Sequence, residues 1–218
     1  MGELAALLGV TPVPQGGWER RAVLVAPGVR ARAEDVERIR GVAGAEVRAN
    51  GLLAVEVAVP GDLVVEVLGL PEGIRGEAGG AGWVDHPRTW ENPGFVVRYA
   101  YARAAAVARW AAALGVPVAT AEGSEGFQGE LLDRAVERRV LRVLAEVFSR
   151  REKGEVGPAY LERLAGVYHD AFEGAAAVPR GDEAVSGVHV ARVRMAAAVR
   201  WVLGEGMRGL GVVPPERI

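Results

Sequence analysis

Cysteine is absent from this chain of 218 residues, lysine occurs once, at Lys153, and histidine occurs three times, at His86, His169 and His189. Without cysteine the protein has no disulfide, no thiolate nucleophile and no thiolate metal ligand. Three scattered histidines do not supply the set of ligands that a zinc site needs. The sequence therefore predicts no metal, no other cofactor and a fold that is held by packing alone.

Long apolar runs are also missing. No segment approaches the roughly 18 apolar residues of a membrane span, and the N-terminal MGELAALLGV lacks the basic region of a signal peptide. Hydrophobic residues make up 50% of the chain, which is enough to build a core. We expect a soluble, cytoplasmic protein with no membrane partner.

The formal net charge of −2 argues against a strongly basic coat, so a DNA partner is not expected. The distribution of charge is more informative than the total. Residues 88–115 carry four arginines and one acid, and residues 186–218 carry five arginines and two acids. Residues 116–185 carry nine basic and 13 acidic groups. Basic charge therefore belongs to the first and last helical segments of the C-terminal half.

The first 70 residues have the pattern of a small α/β module. Strands are predicted at 21–27 and 52–60, and the spacing of Val36, Ile39 and Val42 predicts a helix between them. Residues 71–84 are rich in glycine, contain a proline and lack periodicity, which indicates a linker.

Residues 85–218 are predicted to be helical. Helices are expected at 93–114, 128–151, 158–176 and 187–210, separated by segments that contain glycine, proline and charge. Asn92 is a good N-cap, and Pro93 suits the first turn of a helix. The predicted fold class is α+β overall: a small N-terminal α/β module followed by an all-α helical bundle.

On the first of these helices, 100° spacing places Val96, Ala100, Val107, Trp110 and Leu114 on one predicted core stripe. Arg103 falls inside the stripe and Tyr99 lies at its edge. A guanidinium there must be paired, extend outward to water, or meet a charged ligand. Arg98, Tyr101 and Arg109 lie opposite, on a face that is either solvated or able to stack on bases and bind phosphates.

The last helix places a second core stripe at regular helical spacing. Arg192 extends this stripe, whereas Arg194, Trp201 and Arg208 share another face, where the tryptophan is either half-buried or exposed to a ligand. Three glycines predict close packing of this helix against a neighbour. The stripe consists of Ala196, Val199, Leu203, Met207 and Leu210, and the glycines are Gly204, Gly206 and Gly209.

The segment ENPGFVVRYAYARAAAVARW resembles the first helix of the DALR anticodon-binding domain of arginyl-tRNA synthetases, whose pattern is N-P-x-x-Y-V-Q-Y-A-H-A-R. YLERLAGVYHDAFEG resembles the third helix of that domain, and ARVRMAAAVRWVLGEGMRGLGVVPPERI its last helix and terminus. The resemblance implies a bundle that receives the anticodon stem-loop of a tRNA, and it leaves open whether that tRNA is an arginine acceptor.

The same resemblance assigns the candidate RNA-binding residues. Tyr99 and Arg103 are expected to contact anticodon nucleotides. Arg98, Arg194 and Arg200 are expected to approach phosphates. His169 is predicted on a helix surface beside the site. The remaining candidates occupy family positions around it: Asn92, Tyr101, Tyr168 and Ile218, of which Tyr101 stands where the family has histidine and Ile218 where it has methionine.

GVAGAEVRANGLLAVEVAVPGDLVVEVL resembles the end of the additional N-terminal domain of the same synthetases. The family's G-D-Y-x-x-N segment is missing, so recognition of the tRNA D-loop does not carry over. The H-I-G-H and K-M-S-K-S motifs of the catalytic domain are also missing, and Lys153 has no Met-Ser context. GEAGGAGW lacks the lysine of a P-loop.

We therefore expect a non-catalytic protein that binds a tRNA anticodon arm. Two alternatives remain open. In the first, the chain is a protein-interaction or regulatory module that has lost RNA binding and pairs with a synthetase, with a tRNA-using enzyme or with itself. In the second, it is an accessory subunit that presents tRNA to a separate tRNA-dependent enzyme.

Overall fold

The computed structural model describes residues 1–27, 32–74, 83–117 and 126–218. Most of the predicted linker at 71–84 lies outside the described residues. In the described residues, the strands are confined to the N-terminal part of the chain. The elements are α1 (Gly2–Leu8), β1 (Val13–Gln15), β2 (Val23–Ala26), α2 (Ala33–Glu37), β3 (Val42–Val47), β4 (Leu53–Val57), α3 (Leu63–Leu68), α4 (Pro93–Ala113), α5 (Ala135–Lys153), α6 (Pro158–Gly174) and α7 (Gly187–Gly209).

The N-terminal part is a four-stranded antiparallel sheet with the order β1-β2-β4-β3. The two central strands, β2 and β4, are the two that the sequence predicted. Leu24 of β2 pairs with Val55 of β4, and both residues are fully buried. The placement of Val42 in a helix is wrong. Helix α2 ends at Glu37, Gly41 turns the chain with φ of 90°, and β3 begins at Val42.

In the described residues, every regular element of the C-terminal part is a helix, and the predicted fold class is confirmed. Three of the four predicted helices agree with α4, α6 and α7 to within two residues at each end. The remaining helix, predicted at 128–151, is wrong at its start, because α5 begins at Ala135 and Gly129–Leu131 form a short 3-10 turn. The side chain of Glu137 accepts a hydrogen bond from the backbone N–H of Arg134, which caps α5 there.

The sheet and the bundle contribute to one hydrophobic core, which includes Trp18 and Leu24 from the sheet part and Leu144 and Leu203 from the bundle. Their backbones come close together where Gly61 faces Gly129. A Cβ atom at Gly61 would lie 2.1 Å from the carbonyl oxygen of Gly129, so this contact requires glycine. The division into domains at 70 and 85 stays a prediction.

Helix α7 crosses the bundle with its predicted core stripe fully inside, as its buried residues from Ala196 to Leu210 confirm. Close packing at its glycines is confirmed at two of three positions. A Cβ at Gly206 would meet the side chain of Leu161 at 2.5 Å, and one at Gly204 would meet the ring of Tyr101 at 3.0 Å.

Helix α4 buries a different face from the one that the predicted core stripe defines. Trp110 is 46% exposed and Leu114 is 49% exposed, so their assignment to the core is wrong. Small side chains let α4 approach its neighbours closely, so Trp110 and Leu114 lie outside, although Tyr101 is buried. The buried line consists of Val97, Ala100, Ala104, Val107 and Ala111. In the described part of the chain, no helix has the length and apolarity to cross a membrane.

Candidate nucleic-acid interface

Six side chains gather where α4 passes α6, and we call them the Arg103 cluster: Trp90, Phe95, Tyr99, Arg103, His169 and Phe172. The rings of Phe95 and Tyr99 stack with centroids 5.5 Å apart and planes 12° apart. Trp90 meets His169 edge to face at 4.9 Å. The cluster is therefore a continuous aromatic surface that includes one guanidinium.

The helix itself positions half of this cluster. Phe95, Tyr99 and Arg103 follow one another at four-residue spacing, so they lie on one face of α4. Asn92 defines where that helix begins, because its Oδ1 accepts hydrogen bonds from the N–H groups of Gly94 at 3.0 Å and Phe95 at 3.3 Å. Its Nδ2 donates to the carbonyl of Pro87. The predicted N-cap is confirmed, and the polar atoms of Asn92 serve the backbone.

The guanidinium of Arg103 lies between two rings. Its central carbon is 4.6 Å from the centroid of Tyr99 and 4.5 Å from that of Phe172. Such contacts between a cation and the face of a ring are favourable. Its side chain is only 15% exposed, and one nitrogen lies 3.3 Å from a carboxylate oxygen of Glu173, which is itself 67% exposed. Arg103 is therefore paired, which is the first of the three arrangements expected for a charge on this stripe.

The imidazole ring of His169 contacts the guanidinium of Arg103. Its Nε2 is 3.1 Å from the carbonyl oxygen of Val96, and its Nδ1 is 3.2 Å from a nitrogen of Arg103. A carbonyl only accepts and a guanidinium only donates, so Nε2 carries the proton and Nδ1 accepts. Burial lowers the pKa of His169 below its usual 6.5, and Arg103 lowers it further. The neutral imidazole is thus the form that orients Arg103.

The expectation that His169 occupies a helix surface is wrong, since the residue is 6% exposed. Its position on α6 faces α4, where Trp90 and Tyr99 cover the ring. The sequence does not show this burial, because the residues that contact His169 from α4 are 66 or more positions away.

Acidification is expected to destabilise the fold through His169. Its folded-state pKa is lowered, so the unfolded chain binds the proton more tightly. The stabilisation is complete above the unfolded pKa of about 6.5 and is lost as the pH falls towards the folded value. Urea unfolding at pH 7.5 and 5.5 should show a larger loss for the wild type than for His169→Gln. His86→Gln, at a side chain 71% exposed, is the matched control. Equal losses in all three proteins would contradict the prediction.

Arg98 is engaged with the backbone before and at the start of α4. It donates to the carbonyl oxygens of Gly94 at 2.9 Å and Trp83 at 2.6 Å, and so fastens the segment that carries Trp90. The structure therefore brings Arg98 near the Arg103 cluster in a supporting position. Its expected contact with a phosphate stays a prediction.

Tyr101 and Arg200 form a different group, at the C-terminal tail. Both positions expected for Tyr101, a solvated face and a face open to bases, are wrong, because the ring is 6% exposed and packs on Gly204 of α7. Its hydroxyl donates to Glu216 at 3.0 Å, and Arg200 donates to the same carboxylate at 2.5 Å. Arg109 donates to the backbone carbonyl of Glu216. These contacts hold the tail against α4 and α7.

The last three predicted residues are not brought into the Arg103 cluster. Tyr168 is 2% exposed, although its ring contacts that of Phe172 at 6.4 Å. Arg194 is 4% exposed and lies over the ring of Phe127 at 5.2 Å, away from open surface. Ile218 is 48% exposed at the end of the chain.

Sequence reasoning missed four members of the surface around Arg103. Phe95 could have been found from its four-residue spacing to Tyr99, and Phe172 and Glu173 from their spacing of three and four to His169. Trp90 precedes the helix and belongs to no periodic pattern, so no sequence signal places it. Among the described residues, no group of three or more histidine, aspartate and glutamate side chains could hold a metal ion.

The sequence profile of the DALR anticodon binding domain matches residues 97–218. Curated relatives are arginine–tRNA ligases. That of Clavibacter sepedonicus is 40% identical over 138 residues, which are 60% of this chain and 24% of that protein. That of Frankia alni is 41% identical over 138 residues, with the same shares. That of Pseudarthrobacter chlorophenolicus is 37% identical over 135 residues. The chain spans about a quarter of the length of the relatives it matches.

Proposed function

Because the chain belongs to the DALR anticodon binding domain family, we propose that it binds the anticodon arm of a tRNA on the surface formed by the Arg103 cluster. One observation carries this proposal. Arg103 is held between the rings of Tyr99 and Phe172, with an exposed carboxylate as its counter-ion. That arrangement presents a stacking surface and a phosphate-binding group at the same place.

The chemistry of the cluster suits unpaired nucleotides. Proteins recognise single-stranded RNA loops by stacking bases on aromatic rings and on the planes of arginine side chains. Trp90 is 55% exposed, so one ring of the cluster is open to a base. Helix α4 contains Arg98, Arg103 and Arg109 and no acidic residue, which favours an anionic ligand along it. In this proposal the aromatic rings stack on the bases of the RNA, and Arg103 binds a phosphate of the RNA backbone.

Direct binding tests this function. A labelled anticodon stem-loop and total tRNA should both shift in a mobility assay at low salt. The dissociation constant should rise with salt, by about 0.7 logarithmic units per tenfold change for each phosphate contacted by a single strand. We propose an arginine acceptor as the preferred tRNA, on the strength of relatives that are arginine–tRNA ligases. No shift with any tRNA at low salt would overturn the proposal.

We further propose that the chain does not charge tRNA by itself, because H-I-G-H and K-M-S-K-S are missing from its sequence. The purified chain should show no arginine-dependent exchange of pyrophosphate into ATP, with or without tRNA. Exchange above the blank would contradict this part of the proposal and leave RNA binding to be judged separately.

Replacing Glu173 is expected to strengthen RNA binding. Its carboxylate lies 3.3 Å from Arg103 and competes with a phosphate for that guanidinium. Glu173→Gln keeps the shape and removes the charge, so the affinity for the stem-loop should rise about two- to tenfold, the range expected for an exposed or partly buried ion pair. Asp170→Asn, on an exposed side chain of the same helix that pairs with Arg139, is the matched control. An affinity that is unchanged or lower in Glu173→Gln would contradict this role.

A further inference from the structure

A second aromatic pair, Trp110 and Phe172, contacts Arg103 through Phe172. The rings of Trp110 and Phe172 have centroids 6.3 Å apart and planes 41° apart. Trp110 is 46% exposed. Phe172 is the ring that contacts Arg103 at 4.5 Å, so this pair continues the surface of the Arg103 cluster along α4.

Given the proposed function, on which this inference rests, we propose that Trp110 and Phe172 form a second stacking platform for an unpaired nucleotide. Trp90 and Tyr99 form the first platform. The strand that connects the two bases would pass over Arg103, which contacts a ring of each platform. The interface thus takes a segment of at least two unpaired nucleotides.

The two platforms are offset along α4, so each takes its own base. Tyr99 and Trp110 are separated by 11 positions on α4. At a rise of 1.5 Å per residue, their backbone positions are about 16 Å apart along the helix axis. The inner rings are closer together, because Tyr99 and Phe172 lie 4.6 Å and 4.5 Å from the central carbon of Arg103. Arg103 lies between the two positions in sequence and in space, so its guanidinium is placed to meet the intervening backbone.

Charge favours RNA as the occupant of the second platform. Trp110 is flanked on α4 by Arg103 and by the exposed Arg109, and α4 itself has no acidic residue. Arginine side chains only donate hydrogen bonds, so they suit phosphates. Every base has a face that can stack on tryptophan, whatever its identity.

Trp110→Ala tests the second platform, and Leu114→Ala is the matched control. Leu114 lies one turn further, at the C-cap of α4, and is 49% exposed, so it has similar exposure without a ring. We expect Trp110→Ala to weaken binding of the stem-loop by about 5- to 100-fold, the range for loss of one stacked base. Leu114→Ala should bind as the wild type does, and Trp110→Phe should recover most of the loss.

A fluorescent base analogue shows which nucleotide is affected. 2-Aminopurine, placed in turn at each loop position of the stem-loop, should be quenched at two positions in the wild-type complex. One should brighten in Trp110→Ala and the other in Trp90→Ala. If Trp90→Ala weakens binding and Trp110→Ala does not, the second platform is wrong while the proposed function stands. If the wild type binds no RNA, both are overturned, and the exposed tryptophans then belong to a protein interface.

Discussion

Simultaneous replacement of Tyr99 and Arg103 by alanine is expected to abolish measurable binding of the anticodon stem-loop. Loss of one stacked base costs about 1–3 kcal/mol, and loss of a hydrogen bond to a charged group costs about 1.5–3 kcal/mol. The two side chains contact each other at 4.6 Å, so their effects are not additive. Even the larger of the two alone reduces the affinity by about a hundredfold.

The geometry of the guanidinium is expected to matter as well as its charge. Arg103→Lys keeps the positive charge and loses the planar group that lies between Tyr99 and Phe172. It should therefore lose about tenfold in affinity, between the wild type and Arg103→Ala. Arg38→Ala, at a side chain 77% exposed in the sheet part, controls for the removal of one arginine. If Arg38→Ala and the Tyr99/Arg103 double variant weaken binding equally, the contact is general electrostatic attraction and the assigned site is wrong.

The contrast between α7 and α4 shows when the spacing of apolar residues correctly predicts the buried face of a helix. The predicted stripe of α7 is correct because its aliphatic side chains from Val199 to Met207 all face inward. On α4 the side chains that face inward are mostly alanines, whose hydrophobicity does not distinguish one helix face from another. The predicted stripe included Trp110 and Leu114 because 100° spacing places them in the same arc as Ala100 and Val107, and it was wrong there. Helical spacing of apolar residues therefore does not identify the buried face where close packing of helices selects small residues.

The candidate site was only partly accessible from the sequence for a related reason. The resemblance to the synthetase domain singled out Tyr99 and Arg103, which the structure places in one cluster. It could not supply Trp90, whose position depends on the path of the chain before α4 and on the contacts of Arg98 with Trp83 and Gly94. Nor could helical spacing show that Tyr101 is covered by α7, since that depends on Gly204 about a hundred positions later.

Removal of Arg192 is expected to destabilise the bundle by about 3–5 kcal/mol, the usual cost of leaving one partner of a buried ion pair without the other. Its Nε lies 2.6 Å from a carboxylate oxygen of Glu137, whose side chain is fully buried. The other oxygen of Glu137 accepts the backbone N–H of Arg134 at the start of α5. Arg192→Ala thus leaves a buried carboxylate with one backbone partner. The loss should appear in urea unfolding as a lower midpoint at an unchanged slope.

A double variant separates the contribution of the ion pair from the cost of leaving Glu137 without its partner. Glu137→Gln with Arg192→Met removes both charges, so it should recover at least half of the loss seen in Arg192→Ala, because a buried pair replaced as a whole is often nearly neutral. Arg138→Ala is the matched control, since Arg138 pairs with Asp133, which is 72% exposed, and should cost less than about 1 kcal/mol. Equal losses for Arg192→Ala and Arg138→Ala would contradict the assignment of Arg192 and Glu137 as the pair that joins α7 to the start of α5. A charge on a predicted core stripe is thus expected to be structural at Arg192, with its buried partner, and functional at Arg103, with its exposed one.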